Sequence, residues 1–160
     1  MTNTAATTQH PERTVVLTRI FDAPRALVWQ AWTDPKHMAK WFGPQHFTIP
    51  VCELDARVGG ALRIVMRGPG GTDYPMKGVF REVVTGKKLV FSNIAIDNDG
   101  NHLLEGEITV TFSDAGGKTR MVLHTHAVGL VPMAPQMLAG MEAGWSQSFD
   151  TLAEVLAGAS

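Results

Sequence analysis

The sequence predicts an α+β domain in which a curved antiparallel sheet packs against one long helix near the C-terminus. Seven apolar segments rich in β-branched residues suit strands, and two short helical segments follow the first of them. Short connectors separate the later strands, which favours antiparallel neighbours because parallel strands need long crossovers. The last segment carries an apolar stripe with helical spacing, and such a stripe needs an apolar partner.

The first strand is predicted over residues 14–21, after a flexible N-terminal tail at residues 1–13. Asp22 is expected to cap a short helix over residues 25–33, with Pro24 in the first turn, where its missing N–H costs little. Strand and helix therefore follow each other with almost no connecting loop.

A second short helix is predicted over residues 35–42. Asp34 followed by Pro35 ends the first helix and can cap the second. Gly43 and Pro44 then stop it. Six further strands are expected at residues 47–55, 61–67, 74–84, 88–96, 103–112 and 119–126.

A long helix is predicted over residues 134–157. Its apolar stripe consists of Met137, Met141, Trp145, Phe149, Leu152 and Leu156. Gly140 and Gly144 interrupt it, and a glycine inside a helix costs about 1 kcal/mol relative to alanine. We expect them to allow close approach of another backbone or to leave space for a ligand. The methionines suit an adaptable apolar lining, although plain core packing is the more common reason for such a stripe.

The composition excludes several classes of protein. Hydrophobic residues make up 44% and charged residues 18%, so the chain is not of the disordered type. The net charge of -1 gives no basic field for nucleic acid. Apolar runs are too short to span a membrane, so we expect no membrane insertion. A single cysteine, Cys52, excludes an internal disulfide and favours a reducing, cytoplasmic location.

Two polar clusters have part of the spacing of a metal site. Asp97, Asp99 and Asn101 match the spacing of a calcium loop, but the glycine and glutamate that such a loop requires are missing. His124 and His126 share one face of a predicted strand, but no third ligand is placed with them. We therefore expect neither a metal nor a cofactor, and the sequence assigns no catalytic set.

Short motifs occur along most of the chain in the order found in one family. They are Phe21-Asp22-Ala23-Pro24, Trp41-Phe42-Gly43-Pro44, Arg57-Val58-Gly59-Gly60, Gly78-Val79-Phe80-Arg81-Glu82-Val83 and Gly140-Met141-Glu142-x-Gly144-Trp145. Together these segments resemble the bacterial proteins related to the activator of the heat-shock protein 90 ATPase, within the START-like (SRPBCC) superfamily. The resemblance covers residues 14–157, and a single domain is expected over residues 14–158.

The resemblance implies a helix-grip fold of the START-like, birch-pollen-allergen-like kind. In that fold a seven-stranded curved antiparallel sheet surrounds a long C-terminal helix, with two short helices beside it and an elongated apolar cavity. Superfamily relatives bind lipids, sterols or aromatic polyketides, some are cyclases or dehydratases, and eukaryotic members activate the chaperone's ATPase. A fold alone does not choose among these activities.

The leading hypothesis is the binding of a small apolar or aromatic molecule in that cavity. Strand alternation and the helix stripe give as candidate ligand-binding residues Leu62, Ile64, Met66, Tyr74, Met76, Phe91, Asn93, Met137, Met141 and Trp145. Tyr74 and Asn93 are expected to orient the ligand by hydrogen bonding. Which strand face points inward is left open, because a register slip of one residue reverses it.

Two alternatives stay open. A polyketide cyclase or dehydratase-like enzyme would need an ionisable residue inside the cavity. A protein-interaction module, resembling the chaperone ATPase activator, would need an extended exposed patch for a protein partner. The oligomeric state is not predicted.

Overall fold

Seven strands form one antiparallel sheet in the computed structural model, which describes residues 10–158. The strands are β1 (Glu12–Phe21), β2 (Thr48–Leu54), β3 (Ala61–Arg67), β4 (Asp73–Val84), β5 (Lys88–Ile96), β6 (His102–Ala115) and β7 (Lys118–Gly129). Their order is β1-β7-β6-β5-β4-β3-β2, so the first strand pairs with the last and the other strands follow as a meander. The predicted class and sheet are confirmed.

The helices are α1 (Arg25–Thr33), α2 (Pro35–Met38), α3 (Ala134–Ala139) and α4 (Met141–Gly158). Asp34 caps α2 as predicted, since its carboxylate accepts the backbone N–H of Lys36 at 2.8 Å. The predicted cap at Asp22 is wrong, because Pro24 occupies the N-cap position of α1 and no side chain bonds there. Among residues 10–158, no helix combines the length and the apolar character that a membrane span requires.

The predicted tail, residues 1–13, lies mostly outside the described residues. Its last two residues belong to β1, because Glu12 pairs with Val128 and Arg13 pairs with Ala127. β7 also runs three residues beyond its predicted end, to Gly129. Tertiary pairing thus lengthens both strands beyond what their local sequence indicates.

The predicted C-terminal helix is divided at Gly140 into α3 and α4. Arg13 of β1 explains how the break is tolerated, since its guanidinium donates to the carbonyl oxygens of Leu138 at 2.8 Å and Ala139 at 3.0 Å. It also pairs with the carboxylate of Glu142 at 3.2 Å. These bonds satisfy carbonyls that the end of α3 leaves without helical partners.

A second arginine of β1 attaches α4 further along. Arg19 donates to the carboxylate of Asp150 at 2.9 Å and to the hydroxyl of Ser146 at 2.9 Å. Helix α4 is therefore attached to the edge strand β1 at two points. One is Glu142 in its first turn, and the other is formed by Ser146 and Asp150.

The core lies where α1, α2 and the second half of α4 meet the concave face of the sheet. Trp32 is its centre, with ring centroids of Trp41 at 4.8 Å, Trp145 at 6.1 Å and Phe149 at 6.3 Å. Phe91 brings the sheet into the same cluster at 6.4 Å. Aromatic pairs at such distances contribute beyond the area that they bury.

Replacement of Phe149 tests this core. Phe149 is fully buried, so Phe149→Ala is expected to lower the free energy of unfolding by about 3–5 kcal/mol. The matched control is Val16→Ala, because Val16 is 57% exposed, and we expect it to cost less than about 0.5 kcal/mol. Urea denaturation measures both, and similar losses in the two variants would contradict the proposed core.

Cys52 gives a second prediction for the fold. Burial, with smaller contributions from the carboxylates of Asp34 and Glu53, raises the pKa of this thiol to about 11. At pH 8 its alkylation by iodoacetamide is therefore expected to be on the order of 100-fold slower in the folded than in the unfolded protein, because only the thiolate reacts.

The raised pKa of Cys52 also makes the free energy of unfolding depend on pH. Because the folded pKa lies above the unfolded value, the contribution of Cys52 is complete below about pH 8.5 and is lost as the pH rises toward 11. Cys52→Ala should remove that part of the alkaline decline in the free energy of unfolding. Rapid alkylation of the native protein at pH 8 would contradict the assignment.

Candidate ligand-binding cavity

Two cavities that share part of their walls lie on the concave face of the sheet: an inner cavity against the first half of α4, and an outer cavity against Met137 of α3. The inner cavity has a volume of about 160 Å³ and the outer cavity about 280 Å³. Both are lined by Pro44, Met66, Met76 and Asn93. The inner cavity adds Phe42, Gly43, Met141, Gly144, Trp145 and Ser148, and the outer cavity adds Phe47, Tyr74, Pro75, Ala95, Ile96, Leu103, Leu104 and Met137.

Seven of the ten residues predicted from the sequence line these cavities. They are Met66, Tyr74, Met76, Asn93, Met137, Met141 and Trp145. Met141 and Trp145 belong to the inner cavity only, whereas Tyr74 and Met137 belong to the outer one only. On β3 the candidate residues lie on the inward face, since Leu62 is 2% exposed while its neighbour Arg63 is exposed.

The other three predicted residues do not line either cavity. Leu62, Ile64 and Phe91 lie on the concave face but are buried within the packed core. The ring of Phe91, for example, lies 5.5 Å from that of Phe80. Alternation along a strand predicts the face on which a side chain lies, but it does not predict whether the space above that side chain is filled.

The packed end of the sheet is filled by large side chains in one transverse row. Phe80 of β4 pairs with Phe91 of β5, and Phe91 pairs with Ile108 of β6. All three side chains are at most 1% exposed. On β4, β5 and β6 this row separates the core from the cavities.

The next row on the same face carries little side-chain volume. Asn93 of β5 pairs with Gly106 of β6, and Gly106 pairs with Ala127 of β7. On β4, the strand on the other side, Lys77 pairs with Ile94 and Phe80 pairs with Phe91. These pairs place Gly78 opposite Asn93. The inner cavity therefore opens above the part of this row from β4 to β7, in which Asn93 is the largest side chain.

Gly78 and Gly106 are held in place by the backbone around them. A Cβ atom on Gly78 would overlap the carbonyl oxygen of Ser92, and one on Gly106 would press on that of His126. Sequence reasoning missed both residues. The available signal was an isolated glycine inside a strand pattern, which indicates a bulge or a close approach of another backbone.

The loop between α2 and β2 forms a wall that sequence reasoning also missed. Gly43 adopts a left-handed φ of +97°, and His46 has a φ of +71°. The backbone N–H of Gln45 donates to the side-chain oxygen of Gln147 on α4 at 3.1 Å. At the far end of the loop the Phe47 ring lies 5.8 Å from that of Tyr74. The loop therefore bridges the helix and the sheet beside the cavities.

Gly140, between α3 and α4, and Gly144, in α4, have different roles. Gly140 marks the helix break, and a Cβ atom there would meet only carbonyl oxygens of α3, of which the nearest is that of Met137 at 3.7 Å. Gly144 lines the inner cavity. Only the second fits the expectation of space for a ligand, and neither allows another strand or helix to approach closely.

Polar groups are few in the cavity walls. No Asp, Glu, His, Lys or Arg lines either cavity among residues 10–158. The hydroxyl of Ser148 donates to the carbonyl oxygen of Gly144 at 3.0 Å. Tyr74 is 46% exposed. The side-chain amide of Asn93 makes no hydrogen bond with the part of the chain that the structure describes.

The two polar clusters with part of the spacing of a metal site do not line the cavities. His126 contacts the carboxylate of Glu12 at 2.8 Å, while His124 is exposed on the same outer face. The Asp97 carboxylate accepts the backbone N–H groups of Asp99 at 2.9 Å and Asn101 at 2.8 Å. Hydrogen bonds from Asn101, the larger cause, and from nearby backbone lower the pKa of Asp97.

Neither cluster is arranged around a cation. Within residues 10–158, no group of three or more His, Cys, Asp or Glu side chains is placed to hold a metal ion. The Asp97 carboxylate instead stabilises its own turn, as aspartate commonly does in loops.

Solved structures of bacterial proteins share this architecture. One from Chromobacterium violaceum is 26% identical with a TM-score of 0.75, and the match covers 89% of this chain and 96% of the other. One from Nitrosomonas europaea is also 26% identical with a TM-score of 0.74, covering 91% and 94%. An AHSA1 protein from Silicibacter pomeroyi, at 22% identity and a TM-score of 0.78 over 92% and 100%, shows the fold alone.

Sequence comparison gives the family directly. No curated protein shows detectable sequence similarity to the chain. Residues 22–157, however, match the family model described as Activator of Hsp90 ATPase homolog 1-like protein. That match covers both short helices, strands β2 to β7 and nearly all of α4, and so includes every residue that lines the cavities. The chain therefore belongs to the Activator of Hsp90 ATPase homolog 1-like family.

Proposed function

We propose that the protein binds a small apolar or aromatic molecule in the joined inner and outer cavities. The observation that carries this proposal is the combination of open volume and apolar wall between the sheet and helices α3 and α4. Met66 and Met76 lie where the cavities meet, and the aromatic rings of Phe42 and Trp145 line the inner one. Such walls favour apolar ligands because binding removes apolar surface from water.

The volumes set the size of the ligand. A cavity of about 150 Å³ with apolar walls holds a benzene ring, and the inner cavity has about 160 Å³. The outer cavity, at about 280 Å³, has room for a bicyclic group. Complete ligand pockets usually measure about 300–1,000 Å³, so the two cavities together suit a molecule of two or three rings.

The walls support binding more than acid–base catalysis. A cyclase or dehydratase moves protons and needs an ionisable group at the reacting atoms. Tyr74 is the one ionisable side chain among the lining residues in the described range, and it lies in the outer cavity only. The cavity thus offers shape and apolar contact rather than a pair of acid and base.

The exposed apolar side chains support a protein-interaction module less well. Val16 and Ile20 are exposed on the edge strand β1, whereas Val79 and Val84 are exposed on β4. Three strands, β7, β6 and β5, lie between them in the sheet. These residues are scattered singly, as on most proteins, and do not form one extended patch.

Enlarging a side chain in the inner cavity tests the proposal. Met141→Trp is expected to weaken binding of the neutral fluorescent probe N-phenyl-1-naphthylamine by at least about ten-fold, because the indole fills volume that the probe needs. The variant should lose no more than about 1–3 kcal/mol of stability, since open space tolerates added bulk. Fluorescence titration and urea denaturation measure the two quantities.

Met133→Trp is the matched control. Met133 is 55% exposed and lines neither cavity, so this variant should bind the probe as the wild type does. Absence of probe binding by the wild-type protein would contradict the proposed function. Equal weakening in both tryptophan variants would show that the probe binds elsewhere.

A further inference from the structure

We infer that the ligand is a neutral molecule with two apolar parts joined by one hydrogen-bonding group, and that Asn93 holds that group. This inference rests on the proposed function, namely that the joined cavities bind a small molecule. It adds the chemical class of the ligand and the residue that selects it.

Asn93 has the required position. It is one of four residues that line both cavities, and it is the one among them whose side chain can form hydrogen bonds. Glycine lies across from it on both neighbouring strands, Gly78 on β4 and Gly106 on β6. No side chain therefore shields its amide on either side along the row, and the amide lies at the junction of the cavities.

Asn93 also has unused hydrogen-bonding capacity. Its amide offers one acceptor oxygen and two N–H donors, and no residue within 10–158 hydrogen-bonds to it. A polar group that is desolvated without a partner is costly. A ligand that covers Asn93 therefore binds more tightly if it carries a hydrogen-bond donor or acceptor at this point. A purely apolar ligand binds more weakly.

The rest of the wall excludes charge. Burying an ionised group without a partner costs far more than burying a neutral one, and no charged side chain lines either cavity in the described range. Arg13 and Arg19, which β1 directs toward the helices, are already bonded to α3 and α4. A sulfonate or carboxylate on the ligand would find no cation in the wall.

The two apolar parts follow from the two volumes. The inner cavity, lined by Phe42, Met141 and Trp145, has room for about one ring, and the Ser148 hydroxyl there donates to Gly144. The larger outer cavity is lined mainly by apolar side chains such as Leu104, together with the rings of Phe47 and Tyr74. A single ring, a polar link at Asn93 and a larger apolar group therefore follow one another along the cavity.

Three probes of nearly the same shape test this inference. N-phenyl-1-naphthylamine has a phenyl ring, a linking N–H and a naphthyl group. In 1-benzylnaphthalene a CH₂ replaces the N–H, and 1-anilinonaphthalene-8-sulfonate adds a sulfonate to the first compound. Dissociation constants come from fluorescence titration, with competition against the amine for 1-benzylnaphthalene.

The expected results concern ratios of these constants. In the wild type, the sulfonate should bind at least about ten-fold more weakly than the amine. Asn93→Leu keeps the size but removes the hydrogen bond, and it should reduce the preference for the amine over 1-benzylnaphthalene by about three- to ten-fold. Asn98→Leu makes the same change at an exposed residue that lines neither cavity; it is the matched control, and it should leave that preference unchanged.

The outcomes separate this inference from the proposed function. If no probe binds the wild type, both are overturned. If the probes bind but Asn93→Leu leaves the preference unchanged, the role of Asn93 is overturned while the cavity remains a binding site. If the sulfonate binds as tightly as the amine, the neutral class is wrong.

If Asn93→Leu does not fold, a measurement on the wild-type protein still tests the inference. The side-chain amide resonances of Asn93 in ¹⁵N-labelled protein should shift on addition of the amine and shift much less with 1-benzylnaphthalene. Equal shifts with both probes would overturn the proposed hydrogen bond.

Discussion

The packing of Trp32 against α4 is the contact on which the rest of the structure depends. Trp32 is fully buried, and its indole N–H is directed at the sulfur of Met121 on β7 at 3.2 Å. The neighbouring Trp41 donates its indole N–H to the carbonyl oxygen of Ala31 at 2.9 Å. Both large rings are thus buried with their polar atoms satisfied, which burial of tryptophan requires. They set the distance between α1, the sheet and α4 at one end of the molecule.

That fixed end explains why the other end stays open. Phe149, Leu152 and Leu156, in the later part of α4, are at most 5% exposed, while Met141 and Trp145 in its first part line the inner cavity. Trp145 takes part in both, since its ring stacks on Trp32 at 6.1 Å with an interplanar angle of 18°. A ligand in the inner cavity therefore contacts a residue of the core directly, and binding should stabilise the folded state through it.

The sequence predicted the fold well because its signals are local. Helix α1 and strands β3 and β5 lie at their predicted residues, since each has a consistent pattern bounded by turn residues. The break at Gly140 was not predicted because its partner is distant: Arg13, which binds the freed carbonyls, lies 125 and 126 residues away along the chain. The apolar stripe keeps its helical spacing across Gly140, so the spacing alone does not indicate the break.

The candidate site was predicted in part, for a related reason. Alternation identified the concave face correctly, and with it residues such as Met66, Met76 and Asn93. Alternation could not distinguish these residues from Phe91. Whether the space above a side chain is filled depends on the side chains of the neighbouring strands. Gly106 beside Asn93, and the pairing that brings them together, belong to the register between strands. Register depends on the whole sheet rather than on either strand alone.

Under the proposed function, the composition of the wall divides two tasks among different residues. Met66, Met76, Met137 and Met141 supply much of the apolar surface, and unbranched methionine side chains adapt to ligands of different outline. Shape is therefore a weak basis for selectivity in these cavities. Asn93 differs because it is held in a paired strand between two glycines and offers a directed hydrogen bond at one point. If the methionines accommodate the apolar parts, discrimination between ligands of similar size falls on this one amide, since an unmet hydrogen bond is penalised more sharply than an imperfect apolar contact.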